Sequence, residues 1–220
     1  MGKGTAQHLL GYWGYGDQAR LEDWLGQAVN QAGIPVDFRQ RTPHCESGVI
    51  WGVAGSNSDL SQSGQTGEAG TLIITLSASG LSLPDAWAEL DDRRLTLGRS
   101  QFGAMPLYWM PQQDIIWFAS QLKLLLPLLQ ELAIDLTAVY GYSCFSYVPT
   151  PLTPIAGIAS LPAATQQTWT AETGGLSQSE PCRLQEWREA PDQITDEAIA
   201  VEHLQAVLQQ AIQHQIGDLG

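Results

Sequence analysis

The chain has 220 residues, 44% of them hydrophobic and 15% charged, which is enough to fill a folded core and excludes an intrinsically disordered composition. Lys and Arg number 10 against 23 Asp and Glu, a net charge of −13; such a surface repels phosphate backbones and argues against nucleic-acid binding. The three cysteines, Cys45, Cys144 and Cys182, are too few and too widely spaced for a disulfide framework or a zinc site and are expected to be buried reduced thiols.

In chain order, His8–Tyr15 predicts a strand. A helix follows over Asp17–Ala32, with Leu21, Trp24, Leu25, Ala28, Val29 and Ala32 at helical spacing, Asp17 as N-cap and Gly33 as its stop. Val49–Ala54 predicts a short strand and Gly55–Gly70, rich in Gly, Ser and Gln, a loop. Thr71–Ser77 is a continuous β-type run. Ala86–Leu90 with Arg94–Gly98 predicts a hairpin around Asp91-Asp92, and Leu107–Met110 with Ile115–Ala119 a second around Pro111–Asp114. Leu122–Leu132 and Asp135–Ser146 read as helices. Pro149, Pro151, Pro154 and Pro162 predict an ordered, extended connection. Trp169–Trp187 predicts an edge hairpin around Gly174-Gly175. A last helix begins near Thr195, its cap, with Asp196 and Glu197 in the first turn and Val201, Leu204, Leu208, Ala211 and Ile212 on one apolar face. The apolar stretch around Leu124–Leu129 is broken by Lys123, Pro127 and Gln130, short of the ~20 residues of a membrane span. Residues 1–16 lack the pattern of a signal peptide, and Ala6 stands where a myristoylation motif needs Ser or Thr. A cytoplasmic protein without a membrane partner is expected.

Four segments carry a resemblance. Gly11-Tyr12-Trp13-Gly14 resembles an opening strand that usually reads Cys-Gly-Ile-Ala-Gly followed by apolar residues. Arg41-Thr42-Pro43-His44 with Gly48 is similar to Arg-Gly-Pro-Asp and a later Gly. Arg99-Ser100-Gln101-Phe102-Gly103-Ala104-Met105-Pro106-Leu107-Tyr108 and then Phe118-Ala119-Ser120-Gln121-Leu122-Lys123 parallel Arg-Asp-x-x-Gly-x-x-Pro-Leu-Tyr and Phe-Ala-Ser-Glu-x-Lys. Tyr147-Val148-Pro149, Thr153, Gly157-Ile158 and Leu161-Pro162 complete the series. The chain thereby resembles the class II glutamine amidotransferase domain of asparagine synthetases, most closely over about residues 86–165. The resemblance implies an α+β fold, the four-layer αββα sandwich of the N-terminal nucleophile aminohydrolases. It assigns residues 1–190 to the amidotransferase-like domain, and 191–220 to a helix like the one that begins an ATP-dependent synthetase domain.

Amidotransferases of this class use an N-terminal cysteine whose thiolate attacks the glutamine amide while its own α-amine acts as base. Matched to that family, Gln7 occupies the cysteine's position with six residues before it, so both the thiol and the free amine are missing. Thr5, exposed by cleavage after Gly4, would lie two residues early, roughly 7 Å away in an extended chain, too far for attack. Cys45 beside His44 lacks an orienting third residue. The family's Asn-Gly-Glu segment has no match; its Asp is Ser100 here and its Glu is Gln121, whereas Gly103, Pro106, Leu107 and Tyr108 persist. Gly52–Gly70 lacks the Gly-Lys-Ser/Thr ending of a phosphate loop. Asp91-Asp92 suits a turn, His203 and His214 suit a solvated helix face, and Trp13, Trp24, Trp87, Trp109 and Trp117 suit core packing.

No catalytic, cofactor or metal residue is therefore assigned. The resemblance implies a degenerate amidotransferase-like domain of an asparagine synthetase-related protein, silent toward glutamine. It would serve as a structural or docking domain for an ATP-dependent amide-forming partner, in the same longer chain or a separate subunit. In relatives such as β-lactam synthetase the cysteine is likewise absent while the fold remains. ATP and Mg are expected only on that partner. The alternatives are a functional glutamine-hydrolysing subunit of an asparagine synthase and a stand-alone interaction protein; under any of these readings the chain can be a homo-oligomer. An exposed apolar face on the last helix would imply a further domain or partner chain.

Overall fold

A computed structural model of the chain describes residues 8–32, 38–41, 48–53, 72–76, 84–91, 93–172, 175–183 and 194–217. They fall into two compact units, Met1–Gln185 and Glu186–Gly220. The first unit is α+β, built on two antiparallel sheets. One sheet has the spatial order β2 (Phe38–Arg41), β3 (Gly48–Val53), β1 (His8–Gly14), β8 (Ile115–Ala119), β7 (Tyr108–Gln112) and β9 (Ala159–Ser160). The other has β11 (Gly175–Gln178), β10 (Thr165–Glu172), β6 (Arg94–Arg99), β5 (Ala86–Leu90) and β4 (Leu72–Leu76), with β12 (Cys182–Arg183) pairing the start of β10.

Strand periodicity of two explains how the sheets stack. On β1, Leu9 and Trp13 point to one side, and Leu10 and Tyr12 to the other; on β8, Ile116 and Phe118 oppose Trp117 and Ala119 in the same way. The first set meets Leu76, Ala88, Leu90, Leu95, Leu97 and Trp169 of the second sheet and forms the core between the sheets. The second set packs under Leu21, Leu25 and Ala28 of helix α1 (Gln18–Ala32) and under Leu124, Leu125 and Leu128. Both faces of β1 and β8 are covered, which is why these strands read as continuous apolar runs.

The outer face of the second sheet differs. Its residues are Thr75, Trp87, Glu89, Thr96, Gly98, Thr168 and Thr170, placed side by side by the register; Thr96 and Thr168 share a hydrogen bond of 3.2 Å. Among the described residues the stack therefore has one helical layer and two sheet layers.

Several expectations change in detail. Leu122–Leu132 is not a helix. It contains two 3-10 turns, Leu122–Leu124 and Leu126–Leu128, because Pro127 has no N–H and its ring obstructs a continuing α-turn. The connection after Tyr147 is ordered but folded back rather than extended: Leu152 N–H donates to Pro149 O at 2.9 Å, and the buried Thr153 hydroxyl bonds the carbonyls of Ile155 at 2.9 Å and Ile158 at 2.8 Å. Cys144 and Cys182 are exposed, not buried. The short strands β2 and β12 lack an apolar alternation that would announce them. Asp17 caps α1 through its carboxylate, which accepts from Ala19 N–H at 3.1 Å. Helix α2 (Leu136–Phe145) is capped by Asp135, which accepts from Thr137 and Ala138 N–H, and ends on Ser146 at φ 61°.

In the second unit, α3 (Glu197–Gly217) is capped not by Thr195 but by Asp196, whose carboxylate accepts from Ala198 N–H at 2.9 Å and Ile199 N–H at 3.3 Å. Its apolar residues Val201, Leu204, Leu208 and Ile212 are exposed, at 49% or more. Thr5, Gln7, Gly33, His44, Cys45, Gly55–Gly70, Asp92, Gly174 and Trp187 lie outside the described residues. No described helix is long and apolar enough to cross a membrane.

Candidate functional site

The pairing registers bring several loop ends to one end of the stacked sheets. Leu10 of β1 faces Ala119 of β8, which faces Tyr108 of β7, which faces Ser160 of β9. In the second sheet Ala86 faces Arg99, which faces Thr165. The chain passes from Arg99 to Tyr108 across this end, so His8, Ser120–Lys123, Asp85, Ser100–Leu107 and Leu161–Ala164 assemble there.

Arg99 organises the group. It is 8% exposed. Its Nε donates to Met105 O at 2.8 Å, its Nη2 to Gly103 O at 2.6 Å, and its Nη1 to Leu161 O. Burial lowers its pKa from the usual guanidinium value, an effect that Tyr108 partly offsets. One planar fork thus ties the 100–107 loop to the loop after β9, and Leu161 N–H closes the tie on Leu107 O at 2.8 Å. Gly103 has φ +58°, and a Cβ on it would come within 2.9 Å of Arg99 Nη2 and 2.8 Å of Ala163 Cβ. The Arg-x-x-x-Gly spacing is therefore a packing requirement of the clamp.

Ser100 follows the clamp. Its N–H donates to Asp85 O at 2.8 Å, and its carbonyl accepts from Gly103 and Ala164 N–H at 3.1 and 2.9 Å. Its Oγ is buried and makes no hydrogen bond among the described residues. Across the end, Leu9 N–H donates to Ser120 Oγ at 2.8 Å and Ser120 N–H returns to Leu9 O at 2.9 Å. Gln121 Nε2 lies 2.6 Å from His8 Nδ1. An amide nitrogen only donates, so Nδ1 accepts and the ring proton sits on Nε2. Burial, and secondarily the charge of Lys123, lowers the His8 pKa from 6.5, so the imidazole is neutral at pH 7.

The structure brings Ser100, Gln121, Gly103, Pro106, Leu107 and Tyr108 to this end as a group. Asp91 lies at the opposite end, where its carboxylate accepts from Arg93 N–H at 2.7 Å and its backbone closes the β5–β6 turn on Arg94 O at 2.9 Å. His203 is exposed on α3, in the other unit. No cluster of three or more His, Cys, Asp or Glu able to hold a metal occurs among the described residues. Sequence reading gave His8 no role beyond strand membership, and Arg99 none beyond its motif. The signal for Arg99 was a buried-strand pattern ending in an arginine four residues before a glycine. His8 carried no local signal, since its partner lies far along the chain.

Residues 86–180 match the family of glutamine amidotransferase domains, a stretch that runs from β5 past β11 and includes the Arg99 clamp. A curated relative, asparagine synthetase [glutamine-hydrolyzing] 1 of Bacillus subtilis (strain 168), is 33% identical over 78 residues, which are 36% of this chain and 12% of that protein.

Proposed function

From the premise that this chain carries a glutamine amidotransferase domain of the asparagine synthetase family, we propose that the domain no longer hydrolyses glutamine and serves as a structural docking domain for an ATP-dependent amide-forming domain. The carrying observation is the chemistry gathered at the clamp end. The residue before His8 is Gln7, which has neither a thiol nor a basic amine. The described side chains at the clamp end are already engaged: His8 with Gln121, Ser120 with Leu9, and Arg99 with three carbonyls. Ser100 and Gln121 stand where the family's Asp and Glu would supply charge.

The division of the chain at Gln185 and Glu186, near residue 190, supports reading the closing helix as the start of a second domain. The exposed apolar residues of α3 support a further domain or partner chain. ATP and Mg belong to that partner in this reading. The packing of α1 and two sheets is compatible with a four-layer sandwich of the N-terminal nucleophile type.

Incubation of the purified chain with glutamine tests the proposal. No glutamate or ammonia release above the uncatalysed rate is expected, and intact mass should show no terminus trimmed to a free Thr5 or Gln7. Release that is abolished by thiol- or amine-blocking reagents overturns it.

A further inference from the structure

Helix α2 buries only Ala138 and Gly141. Around it Leu136, Val139, Tyr140, Tyr142 and Phe145, and just beyond it Tyr147, lie exposed, from 45% for Val139 to 79% for Leu136. Phe145 and Tyr147 keep their rings 6.1 Å apart. An aromatic side chain offers roughly 150–250 Å² for burial, so four rings near three-fifths exposure leave on the order of 500 Å² of aromatic surface in water. With the aliphatic neighbours this exceeds the ~300–600 Å² of the largest apolar patch on an ordinary monomer. It approaches the ~800 Å² that each partner contributes to a standard interface.

Charge narrows the occupant. From Leu136 to Ala171 the sequence contains no Asp, Glu, Lys or Arg, although the chain carries −13 overall. An uncharged aromatic surface suits a lasting apolar contact better than a charge-steered encounter. A second copy of the chain would set −13 against −13, a repulsion that a less acidic partner avoids. The patch also lies within the amidotransferase-matching residues 86–180, whereas the matched stretch is only 12% of the relative, which leaves most of that protein outside it.

We propose that the uncharged aromatic face of α2 is the seat of the ATP-dependent amide-forming domain. This rests on the docking function above and names its contact surface. The partner it fits presents an apolar face of similar extent and is less acidic than this chain.

Cys144 lies on α2 and is an exposed thiol, which makes it a reporter. The full chain carrying Cys45→Ser and Cys182→Ser is mixed with the synthetase portion of the Bacillus subtilis relative as probe. Light scattering reports the complex and a maleimide reports Cys144 reactivity. The expected result is a one-to-one complex in which Cys144 reacts at least tenfold more slowly, and which Tyr140→Ser with Phe145→Ser weakens at least tenfold without changing the circular dichroism of the free chain. A complex in which Cys144 reacts at its free rate overturns the assignment of this face and leaves the docking function standing. Absence of any complex overturns both. A dimer of the chain alone with a protected Cys144 overturns the assignment in favour of a second copy.

Discussion

Replacing Arg99 by methionine removes the guanidinium while keeping much of its apolar stem. Three carbonyls, of Gly103, Met105 and Leu161, then lose their donors inside the protein. Each buried acceptor left unmade costs ~1–3 kcal/mol, and the three share one rim that can partly relax, so a net loss of roughly 3–5 kcal/mol is expected, the range for dismantling a buried charged network. For a unit of this size, 1 kcal/mol moves the melting point by ~2–4 °C, which places the variant roughly 10 °C lower. Thermal unfolding followed by tryptophan fluorescence reads this directly. Arg94→Met is the control: Arg94 is exposed and its contacts with Glu89 and Asp91 are loose, 3.8 Å each, so ~1 kcal/mol or less is at stake. Arg99→Lys should recover little, because an ammonium cannot span three acceptors that a planar fork reaches. Were Arg99→Met to melt within about 2 °C of the parent, where ~1 kcal/mol would already be visible, the clamp would not be what fixes this end of the sheets.

Further outcomes follow from single positions. His8 has its pKa lowered on folding by burial and by Lys123; the stability this contributes is fully present above pH 6.5 and is lost as pH falls through 6.5 toward the folded value. Urea midpoints should therefore drop on acidification in the parent more than in His8→Gln, and Gln121→Glu, which sets a carboxylate against the ring, should reverse the sign. Gly98→Ala should cost ~1–3 kcal/mol by overpacking and shift tryptophan emission, since a Cβ there would lie 2.1 Å from the Trp87 ring; an unchanged melt would mean that the ring moves freely. Asp196→Ala should lower helicity and cost ~1 kcal/mol of cap energy, while Thr195→Ala should not; circular dichroism distinguishes them.

Patterns that depend on neighbours in sequence were legible. The β5–β6 and β7–β8 hairpins, α1 with its Asp17 cap, and α2 with Asp135 before it lie where period and turn chemistry put them. The errors have local causes. Pro127 converts an apolar helical pattern into two 3-10 turns, and the cap of α3 lies one residue later than Thr195 because the helix starts at Glu197, which puts the Ala198 and Ile199 N–H groups within reach of the Asp196 carboxylate. β2 was silent because a four-residue strand, Phe38-Arg39-Gln40-Arg41, with a single apolar residue has no periodicity to display. At the candidate site, the residues quoted from the motif lie together at the Arg99 end of the sheets. The His8–Gln121 contact joins residues 113 apart, a pairing that only the β1–β8 register creates. The exposure of Cys144 and of the α2 aromatics was likewise invisible, since apolar residues in a helix read as core until the opposite side is seen to have nothing packed on it.

The contacts that hold the clamp end together lie on the backbone. Arg99 meets backbone carbonyls, Gly103 clears space for that guanidinium, and Leu107 and Leu161 close a backbone pair. These interactions depend on chain path and not on any group that touches glutamine. A sequence under pressure only to keep the two sheets joined would retain all of them. In the proposed reading, a sequence that also hydrolyses glutamine would in addition need a nucleophile and a base ahead of His8 and charge at the positions of Ser100 and Gln121. On that reading these residues serve the scaffold, and the reaction turns on the few positions around His8, where the described side chains are an amide, a neutral imidazole and hydroxyls. In the proposed reading the clamp end is an inherited joint, and the surface that still has work to do is the uncharged face of α2.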